Sequence, residues 1–205
     1  MNLPNRLTML RMISVPFFIL CIELSGFWFN LAALLLFIAA SLTDFFDGRI
    51  ARKYNIITPL GIFLDPLADK LLVSAAFISF IQFDDLHIPA WIVIAIISRE
   101  FLITGFRSLA ASKNVIIPAD KSGKFKTTFQ IVVIIVVLAI IIVKDAFWEF
   151  YGVSSDMIEV YDKGAYKTLM FLFDNVPFWA VCIAAFLTIY SGARYLITHR
   201  ALLRE

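Results

Sequence analysis

Long apolar runs separated by short polar breaks dominate the chain. Six of them approach the roughly 20 residues that an α-helix needs to cross a bilayer. They predict spans at 10–26, 29–52, 59–83, 89–112, 125–144 and 175–198. The first run follows Arg6 and Arg11, as the core of a signal peptide would. No small-residue cleavage site follows it and further spans come after, so an uncleaved first membrane helix is expected. Asn2 can cap that helix with Pro4 in its first turn, which places Arg6 and Arg11 at the headgroups of an N-terminal interfacial helix segment. The expected fold is all-α: a polytopic membrane protein with six transmembrane helices, forming one domain over 1–205.

The longest connection, 145–174, interleaves acids with Phe147, Trp148, Phe150, Tyr151, Met157, Val160, Tyr161 and Tyr166. Met157, Val160, Tyr161 and Gly164 follow helical spacing, so it reads either as a short amphipathic helix on the outer interface or as a loop with aromatic anchors. No internal repeat or low-complexity tract stands out.

Composition sharpens this picture. Apolar residues make up 61% of the 205 positions and charged residues only 17%, against about 25% charged in soluble domains. An ordinary water-soluble globule, a disordered chain and a disulfide scaffold are excluded. Cys21 and Cys182 lie in apolar stretches and read as small buried thiols. The basic residues border apolar runs and form no basic domain, so no nucleic-acid partner is expected. With the N-terminus cytoplasmic, most Lys and Arg fall on one side, and Lys144, Lys163 and Lys167 alone fall on the other. The positive-inside bias therefore predicts a multi-pass protein of the cytoplasmic membrane with both termini cytoplasmic.

Charges inside the spans carry the chemistry. Asp44 and Asp47 stand three apart and Asp65 and Asp69 four apart, so each pair lies along one helix face. A turn near residue 56 pairs Asp47 with Asp65 and, to within one residue, Asp44 with Asp69. All four carboxylates then share one depth below the cytoplasmic surface. Ala51 faces Gly61 in that register, which permits close backbone approach. Four crowded carboxylates repel and take up protons unless positive charge intervenes, and hard divalent cations with oxygen ligands supply it. Neutralisation by Arg49, Arg52, Lys53 and Lys70 is the alternative reading.

The pattern Asp44-x2-Asp47-Gly48-x2-Ala51-Arg52-x8-Gly61-x3-Asp65-x3-Asp69 resembles the signature of the CDP-alcohol phosphatidyltransferase family. The resemblance implies a six-helix membrane enzyme that displaces CMP from a CDP-linked lipid with an alcohol. It implies that Asp44, Asp47, Asp65 and Asp69 hold two Mg²⁺ or Mn²⁺ ions and that Asp69 doubles as general base. It further implies that Gly48, Ala51, Arg52 and Gly61 border the CDP group. Physical chemistry agrees with these roles: glycines leave room for a nucleotide, and Arg52 suits pairing to a phosphate, a positive-inside anchor being its other reading. Asn5 and Thr8 read equally as polar contacts to the nucleotide or as helix caps.

The acceptor is read from the later helices. Arg99, Arg107, Lys124, Lys126 and Arg194 lie in or beside their cytoplasmic halves, and convergence of even three would form an anion pocket for a phosphorylated alcohol. Arg99 adjoins Glu100, so a local ion pair is its other reading. The runs Asn2 to Arg11, Ser98-Arg99-Glu100 and Gly123 to Thr127 resemble the branch of the family whose acceptor is glycerol 3-phosphate. That resemblance implies CDP-diacylglycerol and glycerol 3-phosphate as substrates and membrane lipid as surroundings, and leaves a homodimer as a candidate assembly. Inositol phosphate, serine or a second phospholipid are the alternative acceptors. A divalent-cation transporter is the alternative from another class, but it predicts acids spread through the membrane depth. His87 and His199 read as interfacial polar residues at helix ends.

Overall fold

The computed structural model describes residues 3–54, 59–112, 121–152 and 164–199. These form six α-helices: α1 (Leu3–Leu24), α2 (Phe27–Tyr54), α3 (Pro59–Ser79), α4 (Ala90–Ser112), α5 (Lys121–Tyr151) and α6 (Gly164–Thr198). Among the described residues there is no strand, and the all-α expectation holds. Stretches long and apolar enough to cross a membrane occur in α1 (Arg6–Leu24), α5 (Phe125–Phe150) and α6 (Phe171–Thr198). The apolar part described for α2, Phe27–Thr43, is shorter.

One expectation about boundaries needs correction. The segment 145–174 is not a loop throughout, because 145–151 continue α5 and 164–174 begin α6. Backbone hydrogen bonds propagate a helix whether or not its side chains are apolar, so the end of a hydrophobic run marks a lipid boundary and not a helix end. Met157, Val160 and Tyr161 lie outside the described residues. At the N-terminus, α1 runs from Leu3 with Pro4 in its first turn, and its apolar stretch starts at Arg6. Asn2 lies outside the described residues.

Ser25 and Gly26 alone separate α1 from α2. Both have left-handed backbone, φ 54° and 97°, and at φ 97° only glycine is at ease. The Ser25 N–H donates to Ile22 O at 3.2 Å and the Asn30 N–H to Gly26 O at 3.0 Å, which closes the turn. Two short 3₁₀ turns, Phe80–Gln82 and Asp84–Leu86, connect α3 to α4 and end at His87 with φ 50°.

In packing, α1 leans on both α2 and α3, α2 also meets α5, and α6 lies against α4 and α5. Phe18, Phe37, Phe77, Phe80, Ile96, Ile134, Leu138 and Val181 form the core and are fully buried or nearly so. The Phe18 and Phe37 rings tie α1 to α2, with centroids 6.1 Å apart. Ala33, Ala40, Ala76, Ala184 and Ala185 are buried among them and let the backbones approach closely, as helices in lipid require. Large apolar side chains such as Phe17, Leu35, Ile94 and Phe186 point outward, which suits hydrocarbon surroundings.

The end of the bundle that holds the α1–α2 turn is tied by polar contacts. Asn30 Nδ2 on α2 donates to Asp145 Oδ2 on α5 at 2.6 Å. Lys144 bridges Asp85 of the second 3₁₀ turn (3.3 Å) and Asp174 of α6 (2.6 Å).

Candidate active site

Toward the other end of the bundle, α3, α4, α5 and α6 bring a group of charges together. Glu100, on α4, is only 7% exposed, and a carboxylate so deep needs positive partners. Lys70 Nζ on α3 reaches its Oε2 at 2.9 Å, Arg99 Nη1 its Oε1 at 3.2 Å, and Lys126 Nζ on α5 pairs with the same Oε1. Gln130 lies one helical turn beyond Lys126, on the same face of α5. Its Nε2 donates to Thr188 Oγ1 on α6 at 2.9 Å and lies 3.5 Å from Glu100 Oε1.

Arg99 extends the group to α6, where Nη2 donates to Ser191 Oγ at 3.1 Å. Its Nε is buried without a hydrogen-bond partner. One turn further along α6, Tyr195 accepts a 3.3 Å hydrogen bond from Arg107 Nε, and the guanidinium carbon lies 5.4 Å from the ring centroid. A cavity of about 20 Å³ sits beneath Glu100, its polar wall formed by Asp69, Lys70, Ser74, Glu100, Thr127 and Gln130. That is room for about one water.

The structure thus joins Asp69, Arg99 and Lys126 in one neighbourhood and sets Arg107 against Tyr195, while Arg194 on α6 is exposed. Thr8 is buried on α1. Asp44, Asp47, Gly48, Ala51 and Arg52 are on the later part of α2, Gly61 and Asp65 on α3, Asn5 on α1 and Lys124 on α5; side-chain positions at these residues lie outside what is described. So does the expected pairing across residue 56, although α2 ends at Tyr54 and α3 starts at Pro59, on either side of that point. Among the described residues, no group of three or more acids, histidines and cysteines converges as a metal site, and three of the four signature carboxylates are not among the described side chains.

The sequence pointed to Arg99 and Lys126, and to Glu100 only as a local ion-pair partner of Arg99, not as the residue that collects them. Glu100 and Lys70 had a readable signal: an acid within an apolar run must find a cation, and Lys70 sits within another apolar run on a neighbouring helix. Gln130, Thr188 and Ser191 had none, being ordinary polar residues on faces fixed only by packing.

A family model described as CDP-alcohol phosphatidyltransferase matches residues 1–190. This chain belongs to that family. The match covers the whole signature from Asp44 to Asp69 and Glu100 with Lys70, Arg99 and Lys126. Similar curated proteins include CDP-diacylglycerol--glycerol-3-phosphate 3-phosphatidyltransferase of Bacillus subtilis, 37% identical over 95% of this chain and 93% of its own length. The protein of the same name from Rickettsia bellii is 36% identical over 95% and 93%. The probable phosphatidylglycerophosphate synthase of Mycobacterium tuberculosis is 40% identical over 65% of this chain and 64% of its own length. Family membership and the apolar helices together make this a membrane-embedded phosphatidyltransferase.

Proposed function

We propose that this chain transfers the phosphatidyl group of CDP-diacylglycerol to glycerol 3-phosphate, giving phosphatidylglycerophosphate and CMP. The observation that carries the reading is likeness over 95% of the chain to proteins named for that reaction, with the four-aspartate signature inside the matched region.

The donor set fits hard divalent cations. Four carboxylates stand on two successive helices that both pack on α1, and Asp69 is half-buried on the wall of the cavity beneath Glu100. Asp44, Asp47, Asp65 and Asp69 would hold two Mg²⁺ or Mn²⁺ ions, which when bound would neutralise the diphosphate and improve CMP as a leaving group. Gly48, Ala51 and Gly61 leave space for the nucleotide, Arg52 meets a phosphate, and Asn5 and Thr8 add polar contacts. Asp69 takes the proton of the acceptor hydroxyl. The acceptor oxygen bonds to the lipid-side phosphorus as the bond from that phosphorus to the bridging oxygen breaks, and CMP leaves with the bridging oxygen. Arg107, Lys124 and Arg194, with Arg99 and Lys126, receive the acceptor's phosphate. The protein spans the membrane six times, starts with an interfacial helix segment, keeps both termini in the cytoplasm and faces its site there.

The test is an assay of the purified chain with CDP-diacylglycerol and a panel of acceptors: glycerol 3-phosphate, glycerol, serine and inositol phosphate. We expect turnover with glycerol 3-phosphate far above the others, activity lost in excess chelator and restored by Mg²⁺ or Mn²⁺, and no activity in Asp44→Asn. Preference for another acceptor would overturn the substrate assignment, and full turnover in chelator the metal assignment.

A further inference from the structure

The 20 Å³ cavity beneath Glu100 is too small for a phosphorylated alcohol, so the acceptor does not touch this carboxylate from that side. Yet Glu100 gathers cations from α3, α4 and α5. Three cations meet one carboxylate, and Asp69 is the other acid on the cavity wall, so among the described residues around the cavity positive charge stays in excess even with Asp69 counted. Such an excess suits a phosphate monoester, which carries about −1.5 to −2 at neutral pH.

The α6 side of the cluster shows how Arg99 is admitted. A Cβ at Gly192 would lie 2.7 Å from Arg99 Nε, 2.8 Å from Cγ and 3.3 Å from Cδ. Those atoms are the middle of the side chain, so a methyl group there would force Arg99 into another rotamer and off both Glu100 and Ser191. Around Gly26, Gly105, Gly123 and Gly152 the corresponding space is open, with nothing within 4 Å. Gly192 is thus the glycine among these whose missing side chain is occupied by another residue.

We propose that Glu100 is a positioning residue that holds Lys70, Arg99 and Lys126 as one cationic face for the acceptor's phosphate, and that Gly192 leaves the slot through which Arg99 reaches it. This rests on the function proposed above. Glu100 acts through its partners: without its charge, three like charges repel and the face loses its geometry.

The experiment measures glycerol 3-phosphate incorporation by the full chain in phosphatidylcholine vesicles containing CDP-diacylglycerol, varying each substrate in turn. Glu100→Gln and Gly192→Ala should raise the acceptor's KM by about tenfold or more, the loss expected for hydrogen bonds to charged groups, while the KM for CDP-diacylglycerol stays within about twofold. Gly105→Ala, also in a helix, should match the unmodified chain. The double variant should raise that KM by less than the product of the two single effects, because one of Arg99's two anchors is already weakened once Glu100 is neutral. An unchanged acceptor KM in Gly192→Ala, or a parallel rise in both KM values, overturns the proposal. If Glu100→Gln does not fold, Gly192→Ala decides, since it leaves Lys70 and Lys126 on the carboxylate. Absence of turnover with glycerol 3-phosphate in the unmodified chain would defeat the proposed function, whereas normal turnover with unaltered KM values in the variants would defeat this inference alone.

Discussion

Asp69 and Lys70 are consecutive on α3, and both line the cavity under Glu100, so the proposed base and one of the cluster's cations are separated by a single peptide. Replacing the carboxylate by an amide keeps its shape and removes its basicity. Asp69→Asn should therefore keep its KM for CDP-diacylglycerol while kcat falls by about 10²–10⁴, the range for losing a general base. Steady-state kinetics with each substrate varied would check this, and a near-normal kcat would remove Asp69 from that role. The residues of this site were unequally legible. Asp44, Asp47, Asp65 and Asp69 announce themselves because carboxylates three and four apart share a helix face, a relation contained in the local sequence. Glu100 announces only that it needs a cation, because two of the cations it finds come from 30 residues before and 26 after it. Arg99 beside Glu100 was legible as a local ion pair, but its second anchor on Ser191, 92 residues away, belongs to the packing of α4 on α6.

At the scale of elements, the six helices were legible because each carries an apolar run, whereas their ends were legible only where a turn has its own chemistry. Ser25-Gly26 marks such an end. The far ends of α5 and the start of α6 do not, since their polar turns look like loop. Those turns carry the ties that fix α5 to its neighbours, and the ties differ in strength. Lys144 is shared between Asp174 and Asp85, whose side chains are 39% and 61% exposed, so Lys144→Met should cost no more than about 1 kcal/mol. Asn30 is 1% exposed and bonds a half-buried Asp145 at 2.6 Å. Asn30→Ala takes that donor away and should cost about 1–3 kcal/mol. Thermal unfolding in one detergent should rank Asn30→Ala below Lys144→Met, and equal melting points would show that the α2–α5 tie carries little stability.

The molecule as a whole has two unlike ends. Lys126 and Lys144 stand on the same helix roughly 27 Å apart at 1.5 Å per residue, about the thickness of a hydrocarbon core. Asp69 and the Glu100 cluster lie toward one end, and the Asn30 and Lys144 ties hold the other. With Cys21 and Cys182 replaced by alanine, a single cysteine at Ser122 should react with an impermeant maleimide only from the cytoplasmic side, and one at Ser154 only from the opposite side. The reverse pattern would invert the assigned topology. The Glu100 cluster also constrains descent. One carboxylate answers to cations on three helices, and its arginine to a missing methyl group on a fourth, so no member can drift alone. Losing Lys126 strands charge on α4, and gaining a side chain at position 192 evicts Arg99. Surviving lineages are therefore expected to change these positions together or leave them untouched, while the lipid-facing residues around them vary one at a time.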